Sequence, residues 1–283
     1  MRTRLLSVLA AAIAVAGLVP AAHAATPQFV SDPTALVDPF VGTGSGGAVV
    51  GPVDMFPGAA APFGMLDWSP DTPSRPSSGG YNYADSSTIG LSVTHASGAG
   101  CGIEGDLPIL PTVGALGTSS TATTEAFSHA DETANPGSYS TKLGTGSNQI
   151  GVHVAATTRT GIGQFTYPAS TAANMLFKVG DSQAFVSDAS VSIVGNDEVS
   201  GSITEGRFCD MPNMSTVYFV ARFDRPFTNY GTWNGSTINA DARAMTSKNT
   251  VKGQAKASTA PNARLNTGTT GPDSGAYVGF DTT

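Results

Sequence analysis

Residues 189–203 read Ala189-Ser190-Val191-Ser192-Ile193-Val194-Gly195-Asn196-Asp197-Glu198-Val199-Ser200-Gly201-Ser202-Ile203. Ala189, Val191 and Ile193 alternate with serines, and Val199, Gly201 and Ile203 repeat the alternation beyond Gly195-Asn196-Asp197. A period of two puts an apolar set on one face of a strand, so each half predicts a strand buried on one side. Gly and Asn tolerate positive φ, so the triplet between them predicts a hairpin turn. The same alternation recurs at Ile150, Val152, Val154 and Ala156, and at Val217, Phe219, Ala221 and Phe223. Further strands are predicted over 64–68, 88–94, 107–113, 161–167, 174–179 and 277–280. No stretch beyond the N-terminal segment carries a sustained helical period. Roughly ten short strands separated by Gly, Pro and Ser predict an all-β fold, an antiparallel β-sandwich with long Gly/Pro-rich loops.

Composition agrees with that class. Of 283 residues, 34 are Gly and 18 are Pro, a load that disfavours a helical bundle. Charged residues are 12 %, against about 25 % in an ordinary soluble domain, so polarity here rests on Ser, Thr, Asn and Gly. The net charge is −7. Neutralising phosphates needs an excess of Lys and Arg, so nucleic acid is excluded as a partner.

The N-terminus reads as a targeting segment. Arg2 and Arg4 precede an apolar run over 5–19, and Ala22-His23-Ala24 forms a small-x-small cleavage site before Ala25. Residues 1–24 are therefore expected to be a secretory signal peptide, and 25–283 the sandwich domain. The apolar run is shorter than the ~20 residues a membrane span needs. The mature protein is expected to be secreted, with no membrane attachment after cleavage. An oxidising compartment permits a disulfide between Cys101 and Cys209. Two buried free thiols are the other reading, because sequence separation says nothing about distance in space.

Two regions differ from the strand pattern. Residues 37–110 hold most of the Gly-Pro-aromatic density and read as shaped loops. Residues 234–274 are rich in Thr, Ser, Asn and Ala and read as an irregular excursion. At the C-terminus an apolar strand begins at Gly275, and the chain stops at Thr283. This predicts a fragment whose last edge is incomplete.

The candidate motifs are weighed on their chemistry. Gly42, Gly44 and Gly47 match a dinucleotide fingerprint, but Pro52 and Pro57 follow where a helix is required, so a loop needing positive φ is the better reading. No GxSxG elbow is present. His95 and Ser97 are two apart and would face the same way on a strand. Without an orienting acid or an oxyanion hole, a structural hydrogen bond is the better role for this pair. Asp67 with Asp71 and Glu104 with Asp106 are local carboxylate pairs, and loop carboxylates usually cap turns. Aromatics beside Asp and Asn suit the C–H faces and hydroxyl rim of a sugar. Tyr81 and Tyr83 are expected on one face of their segment, Trp233 in a loop as a stacking candidate, and Phe56 and Phe63 in the core.

Six ordered blocks carry a resemblance. They are Asp38-Pro39-Phe40-Val41-Gly42-Thr43-Gly44, Phe56-Pro57-Gly58-Ala59, Pro62-Phe63-Gly64-Met65 and Ser69-Pro70-Asp71-Thr72. Gly80-Tyr81-Asn82-Tyr83-Ala84-Asp85 and Thr94-His95-Ala96-Ser97-Gly98-Ala99-Gly100-Cys101 complete the set. Together they resemble the N-terminal domain of glycoside hydrolase family 92, the calcium-dependent exo-acting α-mannosidases. The resemblance implies a β-sandwich packed on an (α/α)6-barrel that carries the catalytic carboxylates and most of the calcium shell. It implies inverting hydrolysis of terminal α-mannosides, with α-mannoside glycans and the catalytic domain as partners. No catalytic or metal residue is expected in this chain, which alone should be inactive. Asp71, Gly80, Tyr81, Tyr83, Asp85, His95, Ser97, Gly98 and Asp106 match motif positions and are the expected substrate-binding set. Family members often carry a Trp just before the Gly-Tyr motif. Here Arg75 precedes Pro76-Ser77-Ser78, either to favour an anionic group such as a phosphate-bearing mannoside or as a surface charge. The alternative from another class is a stand-alone carbohydrate-binding or adhesion sandwich.

Overall fold

A computed structural model describes residues 29–51, 53–75, 79–117, 122–249 and 272–283. The expected signal peptide and most of the expected irregular excursion lie outside the described residues. The chain divides into two units, residues 1–33 and 34–283, and every described strand belongs to the second.

The described residues form 18 strands, all paired antiparallel, with one four-residue α-helical turn at Gly47–Val50. Eight strands make one sheet in the order Ala59–Ala60, Asp67–Asp71, Gly90–Ser92, Ile109–Val113, Ala173–Phe177, Ser274–Phe280, Asn229–Asn234, Thr237–Ala240. Two four-stranded sheets accompany it. One orders Gly161–Thr166, Ile150–Ala156, Ser138–Leu143 and Thr133–Asn135. The other orders Met214–Arg222, Glu198–Gly206, Phe185–Val194 and Ala244–Lys248. The hairpin closes where the turn residues placed it: Val194 pairs with Glu198, and Gly195 takes φ +59°.

Strand register shows how the layers stack. Pro70 pairs with Leu91, Leu91 with Ile109, Ile109 with Phe177, and Phe177 with Ala276, so these residues share one face. Trp68, two residues before Pro70, lies on that face too. The Trp68 ring meets Phe165 of the first four-stranded sheet at 6.2 Å between centroids. Phe177 stacks on Phe219 of the second at 6.3 Å. Both small sheets therefore cover the same face of the large one, side by side. The predicted sandwich is present, with its second layer split in two because each small sheet pairs only within itself.

The remaining face of the large sheet carries Asp71, Ser92, Leu110, Leu176, Tyr277 and Trp233 by the same register. Three expectations need correction here. The strand at the C-terminal end is not an edge: Ser274–Phe280 is buried along its whole length and paired on both sides, between Ala173–Phe177 and Asn229–Asn234. Trp233 is not in a loop; it is fully buried in Asn229–Asn234, and its indole N–H donates to Asp273 Oδ1 at 3.1 Å. Gly275 opposite it leaves the room the indole fills, since a Cβ there would meet the ring. Part of the expected irregular excursion is regular, forming Thr237–Ala240 and Ala244–Lys248.

Candidate functional site

The motif blocks lie on and beside the polar end of this second face. Asp71 ends its strand with no solvent exposure. Its Oδ2 accepts from Arg75 Nη2 at 2.9 Å and Ser92 Oγ at 2.5 Å, and its Oδ1 lies 2.9 Å from His95 Nε2. Arg75 also donates from Nη1 to Asp181 Oδ1 at 2.7 Å. His95 Nδ1 sits 2.8 Å from the Asp67 carbonyl oxygen. Carbonyl and carboxylate only accept, so both ring nitrogens must donate and His95 is an imidazolium. Burial lowers the His95 pKa, but the Asp71 carboxylate outweighs it and the net shift is upward. For Asp71, burial raises the pKa while Arg75 and His95 outweigh it, holding the carboxyl below its usual range. Two cations thus neutralise Asp71 and Asp181 in a closed network. Arg75 is neither a free surface charge nor free for an anion; its guanidinium is committed to two carboxylates.

Gly80 is required by this network. It has φ +71°, and a Cβ on it would meet Asp71 Oδ1 and Gln183 Nε2. Tyr81, which follows it, is fully buried and donates to Glu132 Oε2 at 2.8 Å. Tyr139 donates to the same carboxylate, and His129 Nδ1 approaches it at 2.5 Å. Tyr83 stacks on His129 at 4.0 Å and 13° and is 46 % exposed. Phe40 contacts both tyrosine rings, but Tyr81 is buried on Glu132 while Tyr83 is exposed, so the two hydroxyls do not present a common face.

The loop 94–106 closes on itself. Gly105 N–H donates to the Thr94 carbonyl at 2.8 Å, and Asp106 N–H to Thr94 Oγ1 at 3.0 Å. Asp106 is fully buried, and its Oδ2 accepts from Thr94 Oγ1 at 2.9 Å. Burial, with the Glu205 charge adding to it, pushes its pKa up to about 7. Ser97 and Gly98 are exposed on the crest, where Gly98 N–H donates to the Asp54 carbonyl at 2.8 Å. The Tyr83 N–H donates to the Thr43 carbonyl at 2.9 Å, so the segment 42–55 reaches both Tyr83 and the crest. Within it Gly42 and Gly47 take φ +84° and +88°, as the loop reading of the glycine motif requires. Cys101 is bonded to Cys209 with Cα atoms 5.4 Å apart, which resolves the thiols as a disulfide.

The nine expected residues thus fall into two sets. Asp71, Gly80, Tyr81, His95 and Asp106 are a buried frame. Tyr83, Ser97 and Gly98 are an exposed rim, with half-buried Asp85 clasping Ser74 through its backbone N–H and hydroxyl at 2.8 and 2.7 Å. His95 and Ser97 do not pair: the segment is a loop, and the imidazole turns inward while the hydroxyl faces out. Phe63 is not core; it is fully exposed at φ +58°. Phe56 is half-buried, 5.0 Å from the His95 ring. Sequence reasoning missed Asp181, Ser92 and Glu132, whose partners Arg75, Asp71 and Tyr81 lie 106, 21 and 51 residues away in the chain. No local pattern marks such pairs. Among the described residues no three His, Cys, Asp or Glu side chains form a metal-holding group. Asp71 accepts from Arg75 and Ser92, and Asp85 from Ser74.

Comparison with known proteins supplies the family. The family 92 glycosyl hydrolase CcMan5 is 28 % identical with a TM-score of 0.68, over 88 % of this chain and 31 % of its own. An inverting mannosidase of the same family from Bacteroides thetaiotaomicron is 24 % identical with a TM-score of 0.69, over 91 % of this chain and 30 % of its own. A second family 92 α-mannosidase from that organism gives 23 % and 0.66, over 90 % of this chain and 32 % of its own. The chain therefore spans about a third of the length of these structures. No curated protein matches it. Residues 36–283 match the glycosyl hydrolase family 92 N-terminal domain, and the chain belongs to that family.

Proposed function

We propose that this chain is the part of a secreted glycoside hydrolase that completes a sugar site for terminal α-mannosides. The observation that carries the reading is the pairing of an exposed rim, Tyr83, Ser97 and Gly98, with a buried frame whose charges are already cancelled. Such a rim offers an aromatic face, a hydroxyl and backbone groups. Those groups bind and orient a sugar but transfer no proton. Asp71 is ion-paired, Asp85 is spent on Ser74, and Asp106 is buried, so the reading takes the acid and base from the longer enzyme rather than from these three. In the full enzyme a carboxylic acid protonates the leaving oxygen while a carboxylate activates water for a single displacement with inversion. Calcium, which the family resemblance implies, would be held mainly by residues beyond this chain.

A partner domain would also cover apolar side chains. Leu36, Val41, Val50 and Phe63 are 72, 70, 65 and 102 % exposed. Exposed large apolar side chains of this kind are what a partner domain would cover. Export is supported by the basic-apolar N-terminal segment and by the Cys101–Cys209 bond, which persists in oxidising compartments.

The test is turnover of p-nitrophenyl α-mannoside in calcium buffer, by this chain and by the longer product if the reading frame continues past Thr283. The expected result is activity only in the longer product. Mannose release by this chain alone overturns the reading, and tight glycan binding without any longer product favours the stand-alone binding module.

A further inference from the structure

The outer face of the sheet Ser138–Leu143, Ile150–Ala156 and Gly161–Thr166 holds an open trough of about 290 Å³, lined mostly by polar residues. It lies outside the motif loops. Register builds it from two rows across three strands. Ser140 pairs with His153 and His153 with Gln164, while Lys142 pairs with Gly151 and Gly151 with Thr166. Gly151 is the notch, because the middle strand there has no side chain. Its φ is ordinary, and an added Cβ would meet Thr166 Cβ only at 3.5 Å. The backbone therefore does not demand glycine, and what the residue supplies is space. One rim is the ion pair of Lys142 Nζ with Asp131 Oδ1 at 2.8 Å. His153, Gln164 and Thr166 are exposed.

We propose that this trough is a second carbohydrate site, which binds a single neutral hexose unit. The trough is open to solvent, and its three strands, about 4.8 Å apart, span about 10 Å, room for one sugar ring. The chemistry is matched donors and acceptors: an ammonium beside a carboxylate, an amide, an imidazole and two hydroxyls, which engage vicinal hydroxyl groups. Asp131 cancels Lys142, and the chain's net charge of −7 repels anions, so a phosphate is disfavoured. With no Phe, Tyr or Trp lining the trough, hydrogen bonds carry most of the affinity, and a dissociation constant of about 1 mM is expected. Asp131 belongs to the turn His129–Asp131, whose first residue stacks on Tyr83, so the trough adjoins the element that supports the rim. The choice of a mannoside as first ligand rests on the function proposed above; the trough itself does not.

The experiment is amide-resolved NMR titration of the whole chain with methyl α-mannoside, repeated with sodium phosphate as competitor. Shifts at His153 and Gln164 that saturate near a millimolar constant, and weaken at least ~10-fold in Gly151→Val, are the expected result. Gly151→Val fills the notch; His153→Ala, an exposed change that leaves folding alone, checks it by removing a hydrogen-bonding group. Displacement of the sugar by phosphate overturns the proposal in favour of an anion site. Absence of shifts up to about 50 mM sugar, under which a site this weak would be largely occupied, also overturns it. Shifts confined to Tyr83 and the loop 94–106 overturn the trough while leaving the function proposed above standing.

Discussion

His95 Nε2 and Asp71 Oδ1 meet at 2.9 Å with both side chains sealed from water, and the second ring nitrogen is held by the Asp67 carbonyl. The pair sits beneath the motif loops, and Arg75 and Asp181 complete its charge balance. Removing one partner of such a buried set leaves an uncompensated charge. Asp71→Asn should therefore cost about 3–5 kcal/mol in urea unfolding. A loss under about 1 kcal/mol would mean that the network relaxes or hydrates freely.

The pH response of that pair has a definite sign. The folded pKa of His95 is raised from 6.5, so its stabilisation is complete below that value and is lost as pH rises through the folded one. The Asp71 pKa is lowered from 3.8, so its share is present above that value and is lost as pH falls through the folded one. His95→Gln should remove the alkaline loss and retain the acid one, as read from melting temperature against pH.

Asp106 behaves in the opposite sense. Its folded pKa is about 7 against an ordinary 3.8, so the native state keeps a proton that the unfolded chain releases. Stability should fall as pH rises from about 4 to about 7, by roughly 4 kcal/mol for a shift of that size. Asp106→Asn keeps an acceptor for Thr94 Oγ1 and should flatten this slope. An unchanged slope in the variant would assign the effect to another group.

Gly80→Ala tests the link between frame and rim. The residue combines φ +71° with contact on Asp71 Oδ1, so the loss should be on the order of 2–4 kcal/mol, well beyond the cost of a left-handed alanine alone. Tyr83→Ala, on the rim, should shift the melt far less, yet raise KM about tenfold in the longer enzyme proposed above. Equal effects on folding and no effect on KM would count against the division into frame and rim.

Reduction of the disulfide should loosen the crest. Cys101 and Cys209 are 108 residues apart, a loop whose closure contributes about 4–5 kcal/mol in the chain-entropy account. Cys209 is exposed, so a mild reductant reaches it. Limited proteolysis should then cut within 94–106 first, with the sandwich persisting in far-UV circular dichroism.

Much of the architecture was legible along the chain because period-two burial is a local property. Ile150–Ala156 appeared with its bounds, and the turn at Gly195 appeared from its residue types. Short strands such as Ala59–Ala60 and Thr133–Asn135 carry too few alternations to register. Phe63 shows the limit in the other direction: apolar character predicts burial, yet its left-handed turn leaves the ring in solvent.

The sequence by itself determined the strand-rich class, the hairpin, the family resemblance and the residue types of the site loops. All of these depend on neighbours within a few positions or on order along the chain. Tertiary structure alone decided which of those residues are frame and which are rim. It brought Arg75 to Asp181, Tyr81 to Glu132 and Cys101 to Cys209 across separations of 106, 51 and 108 residues. It also laid two small sheets on one face of the large one. Burial and charge pairing are set by contacts between distant segments, and no local period records them.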